Sequence, residues 1–203
     1  MKAAALLLPF LIAGCAAPAA SLPPGPSPDG PIVAFGDSYT EGRGAKSPAD
    51  QSYPTLLAQH LGLPVLRKGV NGQTAAEAHP RLQRDALANE PRLVVVEFGV
   101  NEAFRGYPVQ RCLDGLEKIL DDLDAAGVPV VLVGVHFAGF QENFDDGLRG
   151  LADRHGTGLV LDVLRGVLDD PRYTDDGGYH PNAAGYAIME SRIRPEVERV
   201  LGL

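Results

Sequence analysis

Four short turns in this 203-residue chain gather residue types that could do chemistry. Gly36-Asp37-Ser38-Tyr39 sets a hydroxyl beside an acid. Gly69-Val70-Asn71-Gly72-Gln73-Thr74 and Gly99-Val100-Asn101-Glu102 bring amides and a further acid. Asp175-Asp176-Gly177-Gly178-Tyr179-His180-Pro181-Asn182 adds two carboxylates and an imidazole. Hydroxyl, imidazole and carboxylate are the materials of acyl transfer: a serine becomes nucleophilic when an imidazole accepts its proton, and a carboxylate fixes that imidazole's tautomer. Taken singly, each turn has a plainer account. Asp-Ser at a strand end can start and cap a helix, and glycine serves any turn that needs positive φ. Their placement in the fold decides between the two.

The chain alternates strands and helices from Pro31 onward. Ile32 to Phe35 reads as a first strand, Tyr53 to Leu61 as a helix stopped by Gly62, and Pro64 to Val70 as a second strand. Thr74 to Leu87 reads as one helix, with Thr74 as its cap and Glu77 at capping-box spacing. Leu93 to Phe98 is a third strand, apolar on both faces except for Glu97. Helix Val109 to Ala126, strand Val128 to Val135, helix Gln141 to His155, strand Leu159 to Val163 and helix Ala183 to Leu201 complete the series. Strands apolar on both faces and separated by helices imply an α/β fold, a three-layer α/β/α sandwich with a five-stranded parallel sheet of flavodoxin-like type. Ligands of such sheets gather at the carboxyl ends of the strands, near the switch in strand order. All four turns fall at that edge, after strands one, two, three and five.

The first thirty residues stand apart. Lys2 precedes an apolar run from Ala3 to Ala13, too short to span a bilayer and proportioned as the core of a signal peptide. Ile12-Ala13-Gly14-Cys15 follows and resembles the bacterial lipobox. Residues 1–14 are therefore expected to be a lipoprotein signal peptide, with Cys15 lipidated. Residues 15–30, rich in Ala, Pro, Ser and Gly, would be a flexible tether, and 31–203 the folded domain. The expected location is the outer side of a bacterial membrane, periplasmic or extracellular; cleavage after Ala17 or Ala19 would leave the protein soluble in the periplasm. With 18 basic and 26 acidic residues the formal charge is −8. An acidic surface without basic runs disfavours nucleic acid as a partner.

The four turns, in this order and at roughly this spacing, resemble those of the SGNH hydrolases, also called GDSL esterases and lipases. The likeness covers about Pro31 to Leu201 and is nearest the small bacterial thioesterase, lysophospholipase and arylesterase branch. It implies a serine esterase with Ser38 as nucleophile and His180 as general base, and an oxyanion hole formed by the backbone N–H groups of Ser38 and Gly72 and the side-chain amide of Asn101. None of the six serines lies in Gly-x-Ser-x-Gly, so the α/β-hydrolase elbow is not available as an alternative. Two positions depart from the family pattern. The acid three residues before the histidine is replaced by Gly177, which leaves Asp176 or Asp175; Asp176 is the expected member of the triad. Glu102 stands where the family has Asp.

The remaining reactive residues have ordinary explanations. Cys112 lies at helical spacing among leucines and reads as a buried structural thiol. His60, His79 and His155 read as solvated. His136, followed by Phe137-Ala138-Gly139-Phe140, is at the catalytic edge and is a candidate for lining the acyl pocket. No metal-ligand spacing and no phosphate-binding glycine loop occurs, so no metal and no cofactor is expected. The expected substrate is a small ester or lipid, meaning short acyl or aryl esters, lysophospholipids or thioesters, and the expected state a monomer. Two other readings fit the motifs: a carbohydrate O-acetyl esterase of the cell envelope, and a non-catalytic surface lipoprotein that keeps the fold for binding.

Overall fold

The computed structural model describes residues 26–135, 141–175 and 177–203, with Gln141 and Glu142 described in backbone only. The signal-peptide region, Cys15, His136 to Phe140 and Asp176 lie outside the described residues. Five parallel strands form one sheet in the order β2-β1-β3-β4-β5. They are β1 (Ile32–Gly36), β2 (Val65–Gly69), β3 (Leu93–Glu97), β4 (Val130–Val133) and β5 (Gly158–Val160). The helices are α1 (Ser38–Glu41), α2 (Pro48–Gln51), α3 (Tyr53–Leu61), α4 (Ala75–Ala78), α5 (Leu82–Asp85), α6 (Val100–Phe104), α7 (Val109–Ala125), α8 (Gln141–His155) and α9 (Ala183–Leu201).

Strand side chains alternate between two cores. Val33, Phe35, Val94 and Val96 pack with Leu116, Ile119 and Leu120 of α7 and Phe144 and Leu148 of α8. Ile32, Ala34, Leu93 and Val95 pack on the other face with Tyr53 and Leu57 of α3 and Tyr186, Met189 and Ile193 of α9. Burial on both faces explains why β1, β3 and β4 read as continuous apolar runs, and it gives the three layers; the edge strand β2 is half-buried and carries Arg67 and Lys68. Strand order reverses between β1 and β3, whose carboxyl ends diverge into α1 and α6 and open a crevice there.

The stretch read as one helix from Thr74 to Leu87 is broken. It consists of α4, a tight turn over His79–Arg81, α5, and a second tight turn over Leu87–Asn89. The Thr74–Glu77 capping box forms. Pro80 then interrupts, because it has no N–H to donate to the turn before it, and the chain tightens over His79–Arg81. The break turns Arg81 inward, where it is 7% exposed. His155 differs as well: its side chain is 7% exposed and paired with Asp124, not solvated. His79 meets Asp122, and His60 meets the buried Glu190.

Residues 26–28 lie beside Arg92, Leu201 and Leu203, at the amino-terminal pole of the sheet. Gly30 is buried there, and Arg92 donates to its carbonyl at 2.5 Å.

Glu97, the one polar residue of β3, is fully buried. Its Oε2 accepts from Thr40 Oγ1 at 2.9 Å, and Thr40 Oγ1 lies 3.0 Å from the Tyr53 hydroxyl. Space for this carboxyl exists because residue 36 is glycine: a Cβ there would stand 2.1 Å from Thr40 Oγ1 and 2.8 Å from Glu97 Oε2. Burial pushes the Glu97 carboxyl up to about 7 from an ordinary 4.5. Between those values the folded chain keeps a proton that the unfolded chain has released, so this group's contribution to stability falls as pH rises through the window. The melting temperature of the wild type should therefore drop relative to that of Glu97→Gln between pH 4.5 and pH 7.5. Parallel profiles would show that Glu97 does not carry the proton.

Candidate active site

Ser38 is the first residue of α1, where β1 ends, and is 4% exposed. Its Oγ lies 3.1 Å from His180 Nε2. Asp37 precedes it and caps the helix, Oδ1 accepting from Tyr39 N–H at 3.0 Å. His180 sits on the loop that leads into α9. The other ring nitrogen, Nδ1, is 3.7 Å from Asp175 Oδ2, while Asp175 Oδ1 faces the backbone N–H groups of Tyr179 and His180 at 3.2 and 3.4 Å. Thr174 and Pro181 pair across the loop base. Asn182 caps α9 with Oδ1 and donates from Nδ2 to the carbonyls of Arg172 and Thr174, both at 2.9 Å. Tyr39 supports the loop from below: its ring meets His180 edge-on at 5.6 Å, and its hydroxyl donates to the Tyr179 carbonyl.

Opposite this pair stand the second and third turns. Gly72 has φ +79, a conformation that costs glycine little and other residues much. Its N–H has no acceptor among the described residues. Its carbonyl accepts from Arg105 Nη2 at 2.6 Å, and Arg105 Nη1 meets Glu77 Oε1 at 2.7 Å. Asn101, in the first turn of α6, directs both amide hydrogens inward, to Asp37 Oδ2 and to the Gln73 carbonyl, each at 2.9 Å. Glu102 is buried, and its Oε1 accepts from Ala75 N–H at 2.8 Å, at the start of α4. The longer acid at this position thus ties the third turn to the second. The Cys112 thiol is buried beside it and pushed up, first by desolvation.

The structure brings Ser38, Gly72, Asn101 and His180 into one cleft of about 360 Å³. Of the two aspartates weighed for the histidine, Asp176 lies outside the described residues, and Asp175 has its carboxylate beside the imidazole. Cys15 and His136 also lie outside them. Sequence reasoning did not single out Phe104, Arg105 and Tyr179, which line the same cleft. Phe104 and Tyr179 are 51% and 60% exposed and meet edge to face at 6.0 Å across the mouth. Phe104 and Arg105 follow Asn101 by one helical turn and Tyr179 directly precedes His180, and that adjacency was the available signal. Among the described residues no cluster of three or more side chains could hold a metal ion, and no helix is long and apolar enough to cross a membrane.

A model of the GDSL-like lipase/acylhydrolase family matches residues 34–188. An arylesterase of Vibrio mimicus is 26% identical over 180 residues, covering 84% of this chain and 89% of its own. Thioesterase 1/protease 1/lysophospholipase L1 of Escherichia coli K12 is 27% identical over 158 residues, covering 74% and 75%. Among solved structures, the SGNH-hydrolase family esterase AlinE4 superposes with a TM-score of 0.65 at 29% identity, over 83% of this chain and 94% of that one.

Opposing influences set the protonation of His180. Burial pulls its pKa below the ordinary 6.5; the Asp175 charge pushes it up, and the nearby Arg43 pulls it down. Burial prevails, so the ring is neutral at pH 7 with Nε2 or Nδ1 able to accept a proton. Titration of the His180 ring protons by NMR should give a midpoint below 6.5, and Asp175→Asn should lower it further. A midpoint above 6.5, or one that Asp175→Asn leaves in place, would overturn this balance.

Proposed function

The chain belongs to the GDSL-like lipase/acylhydrolase family and is an ester hydrolase, and on that premise we propose that Ser38, His180 and Asp175 form its catalytic triad. The observation that carries this reading is the 3.1 Å approach of Ser38 Oγ to His180 Nε2 on a loop braced by Asp175, Asn182 and Tyr39. His180 takes the Ser38 proton as Oγ attacks the ester carbonyl. It returns that proton to the departing alcohol, then activates the water that releases the acid. Asp175 holds the Nδ1–H tautomer and stabilises the imidazolium. Its Oδ2 stands 3.7 Å from Nδ1 of the neutral ring, and the contact closes to a hydrogen bond as the ring becomes charged.

Negative charge develops on the carbonyl oxygen. The backbone N–H groups of Ser38 and Gly72 receive it. Asn101 contributes by sharing, in a three-centre bond, the hydrogen that it gives to the Gln73 carbonyl; the other stays on Asp37. Loss of one such donor costs about 2.7–4 kcal/mol of barrier.

The mouth of the cleft supports short esters as the substrate class. Phe104 and Tyr179 present aromatic edges and faces to an entering group, and about 360 Å³ is at the small end of ligand sites. Short acyl or aryl esters fit both features, as does the activity named for the Vibrio relative. The upstream sequence supports an exported protein held by a lipid on Cys15.

Hydrolysis of p-nitrophenyl esters from acetate to palmitate tests the reading. Ser38→Ala should lose about 10³-fold or more in kcat, and Asp175→Asn about 10²- to 10⁴-fold. Asp176→Asn should lose far less, and the optimum should fall at short chains. Unchanged turnover in Ser38→Ala would remove the serine mechanism, and the reverse ranking of the aspartates would move the acid to Asp176. For the anchor, Cys15→Ser should shift the protein from the membrane to the soluble fraction; unaltered fractionation would remove the lipid.

A further inference from the structure

We propose that Arg81 is a positioning residue for the oxyanion hole, holding the Gly72–Gln73 turn and the Ser38 strand end in one register. The inference rests on the reading that Gly72 and Asn101 serve the oxyanion. Arg81 does not line the cleft. It is 7% exposed, with the guanidinium 4.2 Å over the Phe35 ring. Its nearest carboxylate contact is Asp85 Oδ2 at 3.3 Å, longer than its bonds to three neutral acceptors. Nη2 donates to the Gly36 carbonyl at 2.8 Å, Nη1 to the Lys68 carbonyl at 2.9 Å, and Nε to Gln73 Oε1 at 2.7 Å.

A guanidinium presents its N–H groups in a rigid plane, so acceptors bound to it together are held at fixed relative positions. Here those acceptors are the ends of β1 and β2 and the side chain that follows Gly72. Gly36 immediately precedes Asp37 and Ser38, and its carbonyl also takes Val70 N–H at 3.1 Å. Gln73 shares a peptide bond with Gly72, and its carbonyl holds Asn101 Nδ2. A shift of Gln73 therefore moves two oxyanion donors relative to Ser38. Arg81 acts on the reaction through these atoms without touching the substrate.

The test compares Arg81→Met, Arg81→Lys, Gln73→Met and the Arg81→Met/Gln73→Met double variant in the full chain, on p-nitrophenyl acetate. Gln73→Met is the second route in because it cuts only the tie to the turn and leaves both strand-end carbonyls bound. We expect kcat to fall about 10- to 100-fold in Gln73→Met and in Arg81→Met, with KM within about twofold and the His180 limb of the pH–rate profile unmoved. The double variant should lose no more than Arg81→Met alone. Arg81→Lys, a point charge without the fork, should raise the melting temperature above that of Arg81→Met without restoring kcat. Wild-type kcat in Gln73→Met, or losses that multiply in the double variant, would overturn the proposal. Ser38→Ala in the same assay separates the two readings. If it keeps wild-type turnover, the serine mechanism fails; if it is inactive while Gln73→Met is unimpaired, only the role of Arg81 fails.

Discussion

The carboxyl group of Asp37 joins the first and third strand ends, and the site is arranged around that junction. One oxygen caps α1 and so sets where Ser38 begins its helix; the other holds the Asn101 amide across the crevice. Burial and the neighbouring Glu97 charge push Asp37 well above the usual carboxylate range. An acid taken out of water costs several kcal/mol unless its oxygens are bonded. Both Asp37 oxygens are bonded, and Glu97 beneath them is reached by Thr40 and, through it, Tyr53. The fold thus sets three of its buried acids, Asp37, Glu97 and Glu102, at the switch point, where relative strand position decides catalytic geometry.

The histidine loop is fixed differently. It carries no long element of its own, and Gly177 and Gly178 give it slack. Its order comes from its two ends and its floor: the Thr174–Pro181 pairing, the amide of Asn182 that binds both the loop and the start of α9, and the Tyr39 hydroxyl beneath Tyr179. Asp175 turns one oxygen onto the loop's own backbone and the other toward the imidazole. A single carboxylate thereby shapes the turn and faces the ring that the turn carries.

The three inner strands were legible from sequence because strands buried on both faces have no polar alternation to obscure them, and Glu97 stood out for the same reason. Helices of nine or more residues were legible from their apolar spacing. The one-turn helices α1, α2 and α6 were not, since four or five residues cannot display a period of 3.6. Pro80 was visible, but the inward turn of Arg81 depends on carbonyls of two strands that no local pattern records. His155 was misjudged because its partner, Asp124, lies 31 residues away on another helix. The choice between Asp175 and Asp176 stayed open in the sequence because spacing alone does not say which way a glycine-containing loop folds its acids.

The placement of residues 26–30 has a bearing on how the molecule presents itself. They lie with Leu201 and Leu203 at the amino-terminal pole of the sheet, while Ser38 and His180 occupy the carboxyl pole. Ser27 and Leu203 therefore both stand on the face away from the cleft. A support coupled directly at either residue would leave the aromatic mouth pointing outward. Orientation on a support is thus built into the strand direction.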